Sequence, residues 1–402
     1  MFVHLHCHSH YSFLRGVASP EEIVAAAVEQ KMSAVGLTDS NGLYAAVPFY
    51  QAALDAGIKP IVGVVLDVEF RVSNDTSVAP RASAFRNSKN EMRNLRSAPL
   101  TLLAADMEGY SNLCQLVTLR HLGTTKLSRD AAAAIGKEDG RPVTLQKLAE
   151  HSRGVIALAP ANHLQLRSFA SLRVARVRKN ASQPSADTSH ESSIASHQSQ
   201  VTSHFTELKD IFGDRLYIEV HILSPGDRRI LREAERIGRE IGVPLVATNN
   251  VHFLRPEEHL HHRAMNAIRT GGLLTTVAPP EITTSEACFK PAVEMQKLFP
   301  DHPELLQATL EIAERCNLQL ELGKTIFPEF NVPEGESAFS YLWKLSFEGA
   351  RKRYKPLRPE VLSRLTHELE VIEKLHLAPY FLLVWDIVEE ARRRGIPAVA
   401  RG

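Results

Sequence analysis

Met1-Phe-Val-His-Leu-His-Cys-His-Ser-His10 opens the chain with four histidines at alternate positions, His4, His6, His8 and His10. If Phe2 to Leu5 begin a β-strand, the period of two places all four rings on one face. A face crowded with neutral imidazoles is a candidate site for Zn, Mn or Fe. The alternative is a tag or a solvated histidine run. Phe2, Val3, Leu5 and Phe13, embedded among the histidines, speak for core strand and helix-entry positions instead.

Outward from this stretch, strand-like and helix-like segments alternate. Ser19 and Pro20 mark the start of a helix from Pro20 to Gln30, and Ala34 to Leu37 follow as a short strand. Leu43 to Ala56 reads as a second helix ended by Gly57, and Lys59 to Phe70 as a strand. Gly154 to Leu158, Leu216 to Val220 and Pro244 to Thr248 are further buried strands, with a helix from Pro225 to Ile241 between the last two. Repeated βα units imply a parallel sheet or barrel, with chemistry gathered where strands end. Two stretches interrupt this pattern. Arg71 to Ala98 is basic and polar, either a surface loop or an arm that touches nucleic-acid phosphates. Lys179 to Ser203 is rich in Ser, Gln, His and Thr and reads as flexible, with His190, His197 and His204 solvated. Beyond about residue 270, helical periodicity takes over in Pro303 to Cys316, Ser337 to Lys355, Pro359 to Leu375 and Tyr380 to Arg394, before an apolar strand-like end at Ile396 to Gly402.

The composition sets bounds. A chain of 402 residues with 44% hydrophobic content has material for two or three domains. A net charge of +1 argues against a wholly basic nucleic-acid wrapper, although 32 of the 47 basic residues are Arg, the side chain suited to bidentate phosphate contacts. Cys7, Cys114, Cys288 and Cys316 are scattered without a CxxC pair, so reduced thiols are expected. With no apolar run of membrane-spanning length and no signal-peptide pattern, the expected location is cytoplasmic, with no membrane partner.

Several motifs in order carry a family likeness. His4-Leu-His-Cys-His-Ser-His-Tyr-Ser12, Gly36-Leu-Thr-Asp-Ser-Asn-Gly42, Gly57-Ile-Lys-Pro-Ile-Val-Gly63, Glu108 to Cys114 and Val246-Ala-Thr-Asn-Asn-Val-His-Phe253 resemble the PHP domain, the polymerase and histidinol phosphatase module. More narrowly they look like the N-terminal region of bacterial C-family DNA polymerases, the DNA polymerase III alpha subunits and their error-prone relatives. The likeness continues through Thr309 to Cys316, Val332 to Ser337 and Tyr380 to Asp386. It implies an α/β fold, a PHP-type distorted (βα)7 barrel over 1–270, followed by a smaller, mainly α-helical segment over 271–402 that begins the polymerase palm and thumb region. Because Arg401-Gly402 resembles the start of a Gly-Arg-Gly-Ser segment at the entry to the palm, a truncated polymerase is the expectation.

The resemblance also implies a ligand set. His6 and His8 match the first ligand pair, Asp39 the aspartate of a Thr-Asp-His motif, and His252 the histidine of a late Asn-Asp-x-His motif; Glu219 is a further candidate. At other family ligand positions this chain has Ser40, Val65, Pro99, Ala161 and Asn250, which remove charge and coordination. Three metals are not expected, whereas one Zn or Mn on the surviving residues is, or else no metal and a set of mutually hydrogen-bonded barrel residues. Mg is expected only for a palm outside this chain, whose catalytic aspartates the chain lacks, so it should not polymerise alone. Two functions follow. One is the PHP-containing part of a DNA polymerase in replication or repair, with DNA, the remaining polymerase domains or a second chain, and replisome or proofreading subunits as partners. The other is an independent metal-dependent phosphoesterase or 3′-5′ exonuclease.

Overall fold

A computed structural model describes residues 1–71, 95–122, 141–161, 202–276, 283–324 and 327–398. Its seven strands are β1 (Ala34–Ser40), β2 (Lys59–Arg71), β3 (Leu95–Ala104), β4 (Val143–Thr144), β5 (Val155–Pro160), β6 (Leu216–Val220) and β7 (Leu245–Ala247). They form one sheet in the order β1-β2-β3-β5-β6-β7, with β4 beside β2. The sheet is mixed rather than wholly parallel. β3 runs antiparallel to both β2 and β5, while β1/β2, β5/β6 and β6/β7 are parallel. Two successive reversals restore the direction, so the strand ends that carry Ser40, Pro160 and Val220 remain on one side, the placement expected of a barrel. Antiparallel neighbours also need no crossover helix.

The N-terminal stretch joins the two edges of this curled sheet. His4 O and Cys7 O accept from Gly36 and Thr38 of β1, while His6 O accepts from Val251, and His8 N donates to Val251 O. Phe2 to Leu5 therefore lie extended between β1 and the segment after β7, but they form no named strand; Cys7 makes an isolated bridge to Val251. Three residues, from His4 to Cys7, span what two residues span in β1, from Gly36 to Thr38. One extra residue in one partner is a β-bulge, and it inverts the alternation of side chains beyond it. Val3 and Leu5 accordingly pack in the cluster that holds Ile61, Leu103, Ile156, Leu158, Tyr217 and Val246, inside the curl of the sheet. His4 lies outside it, between Phe2 and Phe289, with ring centroids 4.8 and 4.2 Å away. After the bulge, His6 and His8 turn inward. The single face of four histidines is thus corrected: His4 is on the other side, and His10 is exposed.

Helices Pro20–Glu29 and Ala46–Asp55 cover the outer face, contributing Ile23, Val24, Ala27, Phe49, Tyr50 and Ala53 to the large outer cluster. Ser19 caps the first of them in a capping box with Glu22, as its sequence position predicts. Helix Pro303–Arg315 sends Ala308, Ile312 and Ala313 into the inner cluster, and its Thr309 Oγ1 accepts from Val3 N at 3.1 Å. By internal packing the chain divides into Met1–Leu320 and Glu321–Gly402. In the second unit, helices Ala338–Arg353, Pro359–Lys374 and Ala378–Arg393 gather around Leu342, Leu369, Ala378 and Leu382.

Of the two interruptions, Arg71 and the last residues of the first stretch belong to β2 and β3, and 72–94 lie outside the described residues. The second falls outside them except for its last two residues, which enter a helix at 202–212 that also carries His204. Ile396 to Ala398 form no strand, and 399–402 are not among the described residues.

Candidate metal centre

Five elements converge on the inner mouth of the sheet. The bulged N-terminal stretch supplies His6 and His8, β3 supplies Thr101, β6 supplies Glu219, and the segment after β7 supplies Thr248 and Asn250. Glu219, fully buried, accepts at Oε1 from His6 Nδ1 at 2.6 Å and from Thr248 Oγ1 at 2.6 Å, while Thr101 Oγ1 donates to Oε2 at 3.3 Å. Burial would raise its carboxyl pKa, but His6, His221 and the Thr248 bond outweigh it and hold Glu219 below the ordinary carboxylate value. His6 Nε2 lies 3.1 Å from His8 Nε2, which is also 3.2 Å from Asn250 Oδ1. The other nitrogen of His8 sits 3.0 Å from Ser12 Oγ and 3.4 Å from Ser40 Oγ. His252 stacks on His8 at 4.5 Å, and His262 lies 5.0 Å beyond His252. Burial, then neighbouring imidazoles and Arg15, hold both His8 and His252 well below the ordinary imidazole pKa, so these rings are neutral at pH 7.

Asp39 is turned elsewhere. Its Oδ1 accepts from Ser9 N at 2.7 Å and from Ser12 Oγ at 2.6 Å, and its Oδ2 accepts from Ser9 Oγ at 2.7 Å. Burial raises its pKa although the Ser12 and Ser9 hydrogen bonds oppose the rise. Ser12 therefore links Asp39 to His8, and the carboxylate itself organises the loop after His8. Gly16 allows that loop to close, since a Cβ there would lie 2.0 Å from Ser9 O. Of the remaining positions, Val65 pairs with Thr101 across β2 and β3, and Pro99 with Asp67. Ala161, at the end of β5, is buried in the outer cluster. The family-type multi-ion cluster does not fit these residues. Both carboxylates are engaged by donors, both nitrogens of His8 have protein partners, and no group of three or more His, Cys, Asp or Glu among the described residues is arranged to hold an ion. What does converge is one pair of imidazole nitrogens.

Sequence reasoning missed Thr101, Thr248, Ser9 and Arg15. Thr248 and Ser9 lie inside motifs singled out above, whereas a lone Thr in a Leu-rich strand gives no signal. His4 is a separate case. Fully buried, it donates or accepts through Nε2 at 2.8 Å from Lys290 O, and burial, opposed by that bond, lowers its pKa to about 4. The unfolded chain therefore binds a proton between pH 6.5 and 4 that the folded chain refuses, so stability is full above 6.5 and falls as pH drops toward 4. At about 1.4 kcal/mol per pH unit, the loss amounts to at most about 3 kcal/mol. Urea unfolding at pH 7 and pH 4 should show it, and His4→Phe, which keeps the ring between Phe2 and Phe289, should flatten the slope. An equal slope in both proteins would assign the acid sensitivity to other groups.

Comparison with known proteins places these features. A PHP domain model matches residues 4–222, and a model described as the bacterial DNA polymerase III alpha NTPase domain matches residues 340–402. An error-prone DNA polymerase from Symbiobacterium thermophilum is 32% identical over 100% of this chain and 33% of its own length. The DNA polymerase III subunit alpha of Bacillus subtilis is 30% identical over 98% of this chain and 30% of its own length, and that of Borreliella burgdorferi is 30% identical over 99% and 31%. The chain thus spans about a third of the length of these relatives. Among solved structures, an amidohydrolase from Chromobacterium violaceum aligns over 63% of this chain and 88% of its own at a TM-score of 0.34 and 12% identity, too loosely to carry an argument. No helix among the described residues is long and apolar enough to cross a membrane.

Proposed function

Because this chain belongs to the PHP domain family and joins that domain to a DNA polymerase III alpha segment, we propose that it works as the PHP-containing part of a bacterial replicative or error-prone DNA polymerase, in DNA replication or repair. The observation that carries this reading is continuity: the relatives align with 98% to 100% of the chain, through the barrel and on into the helical segment. Polymerisation, with its Mg ions, belongs to the rest of the polymerase, and DNA, those further domains, and replisome or proofreading subunits are the partners. The barrel serves as a scaffold in this reading, because its inherited site residues satisfy one another: His6 with Glu219, Asp39 with Ser9 and Ser12.

A second reading, a PHP-type phosphoesterase or 3′-5′ exonuclease with one Zn or Mn on His6 and His8, draws on the 3.1 Å approach of the two Nε2 atoms. Elemental analysis of the purified chain beside His6→Ala and Asp39→Ala, with hydrolysis of single-stranded DNA 3′ ends, separates the two. Well under one equivalent of Zn or Mn, and no cleavage above the variants, is expected. A full equivalent lost in His6→Ala, with metal-dependent cleavage, would replace the scaffold by the enzyme.

A further inference from the structure

Arg15 stands at the edge of the imidazole group on a loop held from several sides. Arg15 N donates to Ser12 O, Gly16 N to the same oxygen at 3.1 Å, and Val17 N to His252 O at 2.9 Å. His262 Nδ1 lies 2.7 Å from Arg15 O. Leu14, one residue before, has a φ of 55°, and Gly16 admits no Cβ beside Ser9 O. The backbone at Arg15 is thus fixed between Ser12, His252 and His262, and Ser12 is itself a partner of His8. The side chain is half-buried and has no ion pair with an acid among the described residues. Its charge bears on His8, His252 and His262, helping after burial to keep them neutral.

A guanidinium is charged at every accessible pH, and at short range in a poorly solvated mouth it opposes a second cation. The carboxylates that would offset such a cation are engaged elsewhere, Glu219 by His6 and Asp39 by the serine loop. We propose that Arg15 is the resident cation of this barrel mouth, and that its charge keeps a divalent ion from the converging Nε2 atoms of His6 and His8. The inference rests on the scaffold reading above and supplies its cause. It also predicts that the exclusion is reversible by changing one residue, because the nitrogen pair is already assembled.

Co2+ is the probe, since its d–d absorption reports inner-shell imidazole coordination without any assay of activity. The full chain is titrated as wild type, Arg15→Gln, Arg15→Asp and the double variant Arg15→Asp with His6→Ala, each checked for folding by its circular dichroism melt. Wild type should show no saturable band. Arg15→Gln should bind Co2+ at least about tenfold more tightly than wild type, Arg15→Asp more tightly again with about one equivalent, and the double variant should lose the gain. If the aspartate disturbs folding, the near-isosteric glutamine decides alone. Arg15→Gln and Arg15→Asp binding no better than a metal-free wild type would overturn the role of Arg15 and leave the scaffold reading standing. A wild type that binds a full equivalent, lost in His6→Ala, would overturn both.

Discussion

Gly36→Val is expected to abolish the folded barrel, with a cost above about 4 kcal/mol, at the far end of what single substitutions do. A Cβ at Gly36 would lie 2.7 Å from Leu5 O, 2.9 Å from Leu5 Cα and 3.0 Å from Leu5 C. All three are backbone atoms, so no flexible side chain can yield. They belong to the bulge between His4 and Cys7, and Gly36 N itself donates to His4 O at 2.7 Å. Valine would push the N-terminal stretch off β1 and undo the join between β1 and Val251, together with the inward turn of His6 and His8. With a total stability of the order of 5–15 kcal/mol, most of the margin would be gone. Soluble yield and urea unfolding followed by circular dichroism measure the effect. Gly349→Ala is the control, since nothing lies within 4 Å of a Cβ there and alanine favours its helix by up to about 1 kcal/mol. A Gly36→Val protein within about 1 kcal/mol of wild type would mean that the bulge does not depend on this close approach.

Glu219→Ala should cost about 3–5 kcal/mol, the penalty for removing one partner of a buried charged pair. The carboxylate is fully buried and gathers His6 Nδ1, Thr248 Oγ1 and Thr101 Oγ1 from three other elements. Alanine leaves those groups in the interior without their acceptor, and water has no ready route to replace it. Glu219→Gln retains an acceptor oxygen and nearly the same volume, so it should cost less than alanine. In a double-mutant cycle, His6→Ala together with Glu219→Ala should fall well short of the sum of the two single losses, since each removes the other's partner. The pH dependence has a definite sign. Because its folded pKa is depressed, Glu219 stabilises the fold fully above the ordinary glutamate value near 4.5 and loses that contribution as pH falls through the lower folded value. A loss under 1 kcal/mol in Glu219→Ala would show that the interior repacks around the gap and that the pair is not a structural tie.

Much of this was legible in the chain itself. Ser19 with Glu22, Gly57 after an apolar helix, and the Val- and Leu-rich runs of β2 and β6 announce their elements because helix capping and burial on both faces of a strand leave local signatures. The motif around His4 to Ser12 and the one around Asp39 likewise identified the family and the residues of the candidate site. Where the reading stopped is equally specific. The reversal of β3 leaves no mark in Leu95 to Ala104, since an apolar strand buried on both faces reads the same in either direction. The bulge is invisible as well: whether His4 or His6 faces inward depends on one unpaired residue, set by the hydrogen bonds of Gly36 and Thr38 to a segment some thirty positions away.

The sequence by itself determined which residue types stand at the mouth of the barrel, that the chain alternates βα units before turning helical, and that charged ligands had been exchanged for Ser40, Val65 and Asn250. Only the tertiary structure decided what the survivors do. Asp39 serves the loop of Ser9 and Ser12, Glu219 serves His6, and Arg15 brings a permanent charge beside His8 and His252. The physical reason is that a side chain's role in a buried site follows from which donors, acceptors and charges reach it, and those partners come from segments far apart in the chain. Residue identity fixes what a group is able to bind; packing fixes what it binds.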